Sequence, residues 1–305
     1  MSRDPSHDLE DFRDALYARA ELEAEKRSEE QSIAGRTARS SDLDRPRKLV
    51  GAVPGPDPRL DDSRGVLYDR DRVYCLRVSE LRTLADLGKF RALGVEDLLT
   101  HVYSRDRDRM HEDLRHLLRQ GLLSKGTFEG PENTPRDLVT LQKTGVRLLR
   151  ANCIIPRDQA IYHGFVKPRE ANHDADLYLL YQKEAARIQA KGGRPMRIIL
   201  DFELKERINR DFAQFGTEAR KEIAAHHGLE VVRGKIPVPD LRIEYEQPDG
   251  ELAQVDLELV TEHYRNDSIA DKVRAGFSLY TPRGEADRLR RVLDQQELTA
   301  EILSL

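Results

Sequence analysis

Apolar residues recur every three or four positions in three stretches between residues 73 and 120, which is the spacing of one buried helix face. The apolar positions are Val78, Leu81, Leu84 and Leu87, then Val95, Leu98, Leu99 and Val102, and then Met110, Leu114, Leu117 and Leu118. Ser104 is the predicted N-cap of the third helix. Two β-like runs between residues 122 and 141, separated by a turn rich in Gly, Pro and Asn, predict a hairpin, and a closing helix follows at 142–152. This order predicts a winged helix-turn-helix domain over residues 71–152.

After residue 152 the pattern changes to a mixture of helices and strands. The predicted order is a helix at 171–193, a strand at 196–204, a helix at 205–227, a short strand at 229–232, two alternating strands at 241–247 and 251–260, a helix at 267–275, a strand at 277–281 and a helix at 285–296. The Pro-Asp-Gly sequence between the alternating strands is a strong hairpin signal. The predicted fold class is therefore α+β, with the winged helix-turn-helix domain followed by a small α/β domain at residues 153–305.

Residues 1–70 differ from the rest, because 29 of these 70 residues are Asp, Glu, Lys or Arg. Such a segment buries too little apolar area to offset the entropy of ordering, so we expect a charged, largely disordered N-terminal segment. Leu9, Phe12 and Leu16 lie at helical spacing and predict one helix near residues 8–32. A linker rich in Pro, Gly and Asp follows at residues 51–65. A solvated tail is the first interpretation, and a contact for a protein partner is the second.

Composition narrows the class of protein. No stretch approaches the roughly 20 apolar residues that span a bilayer, and two cysteines are too few for a disulfide framework. The first residues lack the apolar segment of a signal peptide, so we expect a cytoplasmic protein without a membrane partner. The sequence contains neither paired Cys-x-x-Cys motifs nor a P-loop. A net charge of −4 gives no sign of nucleic-acid binding, although 51 basic residues could still cluster on one face.

The basic residues of the third predicted helix lie mostly off its apolar face. They are Arg105, Arg107, Arg109, Arg115 and Arg119. An arginine presents a rigid fork of donors to phosphates and guanine edges, and the N-terminal turns of a recognition helix meet the bases of the major groove. Lys125 and Arg136 on the predicted wing are expected to contact phosphates. The alternative is a charge-balanced surface helix, because acidic residues alternate with these arginines. Read with the order of elements, the pattern predicts binding to double-stranded DNA.

A second constellation consists of carboxylates. Asp240 follows Pro239 at the start of one hairpin strand, and Glu258 lies in the returning strand. An Asp, a Glu and a nearby Lys describe a restriction-endonuclease-like core, in which the acids bind Mg²⁺ against the scissile phosphate and the Lys acts on the attacking water. Here Val260 occupies the position of the Lys, and Lys272 is the candidate replacement. Asp174 or Asp176 could supply a further acid. The alternative assigns Asp256 and Glu258 to structural pairs with Arg or with His263.

Taken together, these segments resemble the replication-relaxation family of bacterial plasmids and mobile elements. The matching motifs, spread over residues 75–282, are His173-Asp174 before a helix, Pro239-Asp240 at a strand, the acidic strand from Asp256 to Glu258, and a helix and strand from Lys272 to Tyr280. The resemblance implies a winged helix joined to a degenerate restriction-endonuclease-like domain. It also implies a role in replication, mobilisation or regulation of a mobile element through DNA binding. The sequence departs from the family where an acidic residue usually follows the Glu, since Val260-Thr261-Glu262 stands there.

The first functional prediction is therefore a DNA-binding protein without a cofactor and with an inactive nuclease-like domain. Two alternatives remain open. One is a Mg²⁺-dependent DNA endonuclease that uses Asp240, Glu258 and Lys272. The other is a protein-interaction module whose winged helix binds a partner, with the N-terminal segment as a contact, because a fold does not by itself determine a function. The expected partners besides DNA are a mobile-element protein at the N-terminal segment and a second copy of the chain in a homodimer.

Overall fold

The computed structural model describes residues 63–130, 134–165, 170–261, 264–281 and 286–296, together with residues 298, 300 and 302–304. The predicted helix near residues 8–32 and most of the predicted linker lie outside these described residues. Helices and mainly antiparallel strands alternate in the described part, so the chain is an α+β protein, as predicted. None of the helices in that part has an apolar stretch long enough to cross a bilayer.

The bounds of the elements are as follows. The helices are α1 (Val78–Lys89), α2 (Val95–His101), α3 (Arg107–Arg119), α4 (Lys143–Ala151), α5 (Ala171–Ala190), α6 (Asp201–Phe215), α7 (Arg220–His226), α8 (Asn266–Arg274) and α9 (Ala286–Gln295). The strands are β1 (Arg64–Asp69), β2 (Arg72–Arg77), β3 (Leu93–Gly94), β4 (Leu123–Glu129), β5 (Pro135–Leu141), β6 (Arg194–Leu200), β7 (Leu241–Glu246), β8 (Leu252–Leu259), β9 (Ser278–Thr281) and β10 (Ile302–Ser304).

The strands form three sheets. Strands β1 and β2 form a hairpin, and β3, β5 and β4 form a small antiparallel sheet in that order. The largest sheet has the order β10-β9-β8-β7-β6. Within it β6, β7 and β8 are antiparallel, whereas β9 runs parallel to β8 because helix α8 carries the chain back between them.

Three predicted elements of the second half are different in the structure. The predicted strand at 196–204 ends at Leu200, and Asp201 begins α6. Acidic side chains at Asp201 and Glu203 favour the first turn of a helix, which explains the early start. The predicted helix at 205–227 is divided near Gly216, whose φ of 81° ends α6. The predicted strand at 229–232 is reduced to one isolated bridge between Val232 and Lys235.

The prediction that Ser104 caps the third helix is wrong. The N-cap is Asp106, whose side chain accepts a hydrogen bond from the backbone N–H of Arg109 at 3.0 Å. Ser104 and Arg105 have φ values of 49° and 68°, so they form the tight turn between α2 and α3. Asp106 is preferred because its carboxylate both accepts the orphan N–H and complements the positive end of the helix dipole.

Two further strand pairings were not predicted from the sequence pattern. The β1–β2 hairpin begins at Arg64, inside the segment assigned to the charged N-terminal region. Three-residue strand β10 pairs in parallel with β9 at the edge of the large sheet. Both are short, and neither has apolar residues on one face only.

One apolar core extends through both groups of elements. Phe90, which directly follows α1, packs edge-on against Tyr178 of α5, with ring centroids 5.4 Å apart. Tyr178 is fully buried, and its hydroxyl donates a hydrogen bond to Asp86 at 3.1 Å. The division at residues 152/153 into two domains stays a prediction, but the elements on its two sides bury their side chains against each other.

Candidate functional site

Helix α3 and the β4–β5 hairpin border an open groove of about 560 Å³. Its helical side includes Arg107, His111 and Arg115, and its hairpin side includes Lys125 and Arg136. The groove therefore brings together four of the residues predicted to contact DNA, two from the predicted recognition helix and two from the predicted wing.

The predicted arginines of this region differ in how accessible they are. Arg105, Arg115 and Arg119 are exposed, and none of them forms an ion pair with another of the described residues. Arg107 is also exposed, but it donates two hydrogen bonds to the carboxylate of Glu96, each 3.0 Å long. Arg109 is half-buried. An exposed ion pair contributes at most about 1 kcal/mol, so Glu96 would compete only weakly with a phosphate for Arg107.

The two basic residues of the hairpin have different surroundings. Lys125 forms an exposed ion pair of 2.6 Å with Asp137. Arg136 lies in a largely enclosed position between Asp97 of α2 and Asp176 of α5, at 3.0 and 2.7 Å. Burial works against its charge, yet the two carboxylates together raise the pKa of Arg136. Arg136 thus links the hairpin to α2 and α5, and its guanidinium group is already saturated by carboxylates.

The carboxylate residues meet at the edge of the large sheet. The register that pairs Leu241 with Leu257 places Asp240 beside Glu258. The backbone N–H of Asp240 donates to Glu258 Oε2 at 3.2 Å, and the backbone N–H of Leu259 donates to Asp240 Oδ2 at 3.0 Å. Glu258 is completely buried. The pairing predicted from the sequence is therefore present in space.

Lys272 reaches this pair from helix α8. Its ammonium Nζ lies 2.7 Å from Glu258 Oε1 and donates to the backbone oxygen of Val238 at 2.6 Å. Val260, which occupies the expected Lys position, is buried in an apolar cluster with Ile269. The helical pattern alone left the direction of Lys272 open, and only the packing of α8 on the sheet directs it inward.

Two further side chains complete the network, which we call the carboxylate centre and define as Asp240, Glu258, Lys272, Tyr264 and His173. The Tyr264 hydroxyl donates to Glu258 Oε1 at 2.7 Å. His173 Nε2 lies 3.6 Å from Asp240 Oδ2. The sequence indicated His173 as part of the His173-Asp174 motif before a helix, but not its contact with Asp240. No motif marks Tyr264, which follows the strand.

Burial and neighbouring charges shift the pKa values of Glu258 and Asp240 in opposite directions. Burial, reinforced by the neighbouring Asp240 charge, raises the pKa of Glu258 to about 7 despite the Lys272 ammonium. Burial would also raise the pKa of Asp240, but His173 and Lys272 bring it below its ordinary value. In return, the pKa of His173 is raised by Asp240 in spite of burial. The centre consequently stores its negative charge mainly on Asp240.

Two neighbouring acids have separate roles. Asp174 is half-buried, and burial raises its pKa to about 6. Asp176 is occupied by Arg136. Asp256 on β8 forms a bidentate ion pair with Arg242 on β7, at 2.6 and 2.8 Å. This is the structural pairing with an arginine that the alternative interpretation predicted for Asp256. His263 lies outside the described residues.

The carboxylate centre does not fit Mg²⁺ in this arrangement. Glu258 Oε1 accepts a hydrogen bond from the Tyr264 hydroxyl and contacts the Lys272 ammonium. Glu258 Oε2 accepts hydrogen bonds from the Lys272 ammonium and the Asp240 backbone N–H. A cation would have to displace the Lys272 ammonium from a fully buried carboxylate. Oxygen donors of the right type are thus present, but protein donors already saturate the Glu258 carboxylate.

Comparisons with known proteins add no identification. No protein-family model, no curated protein and no solved structure matches this chain.

Proposed function

We propose that this protein binds double-stranded DNA through a winged helix-turn-helix domain at residues 71–152. The order α1, β3, α2, α3, β4, β5 and the sheet order β3-β5-β4 support this assignment, since a helix-turn-helix followed by a two-stranded wing would have this order. The observation that carries the proposal is the groove between α3 and the hairpin, which is bordered by Arg115, an exposed arginine without a carboxylate partner among the described residues. We assign the phosphate contacts first to Arg105, Arg115 and Arg119.

The α/β part is proposed to be a restriction-endonuclease-like domain that does not cut DNA. Its central hairpin, the returning parallel strand β9 and the meeting of Asp240, Glu258 and Lys272 support the likeness. Saturation of Glu258 by Lys272 and Tyr264 supports the absence of a cofactor. Three further proposals come from the sequence alone. The protein has a role in replication, mobilisation or regulation of a mobile element, which is proposed from the resemblance to the replication-relaxation family. The other two are a protein partner for the N-terminal segment and a homodimer.

DNA binding is tested by fluorescence anisotropy with a labelled random duplex at several salt concentrations. Three phosphate contacts predict a slope of about −2.7 in a plot of log affinity against log salt concentration, because each contact contributes about −0.9. The double variant Arg115→Ala/Arg119→Ala should bind more weakly and lose about 1.8 of that slope. The reason is the loss of two cations that no described carboxylate neutralises.

A matched control removes two exposed charges elsewhere. Lys205→Ala/Arg210→Ala on α6 changes the net charge equally, and both residues already form exposed i,i+4 ion pairs. This control should keep most of the wild-type salt slope. Equal affinity and equal slope for the wild type and the Arg115/Arg119 variant, with unchanged circular dichroism spectra, would exclude α3 from the interface.

One observation favours the endonuclease as a second candidate, namely that Lys272 lies within hydrogen-bonding distance of Glu258. We nevertheless expect no cleavage when supercoiled, linear or single-stranded DNA is incubated with the protein and Mg²⁺ or Mn²⁺. Cleavage that disappears in both Asp240→Asn and Glu258→Gln but persists in Glu244→Gln, a half-exposed neighbour on β7, would establish the endonuclease instead. Cleavage that survives all three changes would point to a different nuclease.

A further inference from the structure

A second cluster of chemistry-bearing side chains lies where α6 meets α7. It consists of Asp211 on α6, His226 at the end of α7 and His227 directly after it. One potential ligand atom from each residue lies within 4.8 Å of those of the other two. Two imidazoles and one carboxylate form a donor set that suits zinc and similar divalent transition metals.

The inner part of the cluster is enclosed. His227 Nε2 lies 2.8 Å from Asp211 Oδ2, and both side chains are nearly inaccessible to solvent.

His226 gives the cluster an accessible third donor. It is exposed, and its ring centroid lies 5.0 Å from that of His227, with the ring planes at 70°. A structural hydrogen bond between α6 and α7 needs only Asp211 and His227. Because His226 is exposed, its imidazole offers a third donor on the solvent side of the buried pair.

The backbone that carries both histidines is held in place. Arg242, itself paired with Asp256, donates hydrogen bonds to the carbonyl oxygens of His227 and Gly228. Gln254 donates to the Gly228 carbonyl at 3.1 Å as well. Gly228 has a φ of 62°, which favours glycine and ends the helix sharply. The two imidazoles consequently project from a turn with little freedom to move.

We propose that Asp211, His226 and His227 bind a zinc ion. Three protein ligands leave the fourth tetrahedral position open to water or to another small ligand. When the ion binds His227 Nε2, the proton of the hydrogen bond to Asp211 leaves that nitrogen, and the neutral imidazole carries its proton on Nδ1 instead. The ion then takes over the link between α6 and α7. The opposing charges nearby are Arg207, which is engaged by Glu203, and Arg242, which is neutralised by Asp256.

The test is titration of the full-length, metal-free protein with Zn²⁺ in competition with a chromophoric chelator. We expect one ion per chain and a rise in the melting temperature with Zn²⁺, because a ligand that binds only the folded state stabilises it. His226→Asn should weaken binding by more than about tenfold, the smallest loss expected even for an outer-shell partner of a metal. As a control, His111→Asn changes another exposed histidine, on α3, and should leave the affinity unchanged.

His226 is exposed, so the substitution His226→Asn should leave the fold intact, and a circular dichroism spectrum checks this directly. Asp211→Asn provides the second variant, and it should also abolish the Zn²⁺-dependent rise in melting temperature. An absence of Zn²⁺ binding in the wild type, or equal affinity in the wild type and His226→Asn, would overturn the proposal.

Discussion

Replacing Lys272 with Met is expected, at a pH above the raised Glu258 pKa of about 7, to lower the free energy of unfolding by about 3–5 kcal/mol, the range for breaking a buried ion pair from one side. The Lys272 ammonium is largely enclosed, and it neutralises Glu258, which has no exposed surface. Methionine keeps much of the side-chain length but removes the charge and the hydrogen bond to Val238. The remaining carboxylate must then either stay charged without a cation or take up a proton. Chemical denaturation followed by circular dichroism measures the loss.

Two comparisons identify the cause of that loss. The double variant Glu258→Gln/Lys272→Met should recover part of the stability, since it removes the uncompensated charge as well. Arg274→Met changes a cation of the same helix whose ion pair with Asp271 is partly exposed, and it should cost less than about 1 kcal/mol. If Lys272→Met costs no more than Arg274→Met, the buried pair does not stabilise this fold.

The stability of the protein should fall as the pH rises from about 4.5 to about 7. The ordinary pKa of a glutamate is 4.5, whereas burial raises that of Glu258 to about 7. Between these values the folded protein keeps a proton that the unfolded chain has released, so the free energy of unfolding decreases with pH. One such group contributes a slope approaching −1.4 kcal/mol per pH unit, at about 25 °C. Denaturation curves at successive pH values measure this slope.

Glu258→Gln should flatten the curve across that window, because glutamine cannot titrate. Asp174→Asn is the matched variant, and it should act only at lower pH, between the ordinary value of 3.8 and the raised value of about 6. Buried histidines with lowered pKa values, such as His101 and His227, act in the opposite direction below pH 6.5, so the comparison of variants is more informative than the wild-type curve. Identical slopes in the wild type and Glu258→Gln would contradict the assigned state of Glu258.

The functional consequence of these two experiments concerns the carboxylate centre. If Lys272 and Glu258 stabilise the fold strongly and Glu258 titrates near neutral pH, then this centre is a polar core that holds α8 on the sheet. In the proposed function, the α/β part then acts as a scaffold.

Local patterns in the sequence determined most of the individual elements. The helical spacing of Leu84 and Leu87 or of Met110 and Leu117 predicts buried faces because a helix repeats every 3.6 residues, and these four side chains are buried in the structure. The alternation of β7 and β8 around the Pro-Asp-Gly turn likewise predicted their hairpin and therefore the proximity of Asp240 and Glu258. Both kinds of prediction depend on neighbours within a few residues.

Only the tertiary structure decided which charged groups are available. Arg115 and Arg136 look alike in the sequence, yet Arg136 is enclosed by Asp97 and by Asp176, from an element 40 residues later, while Arg115 remains exposed. The inward direction of Lys272 and the contact of Tyr264 with Glu258 similarly depend on how α8 and its preceding loop pack on the sheet. The sequence shows which charged groups the chain contains. Their ion pairing and burial depend on distances between elements that are far apart in sequence, and those distances follow only from packing.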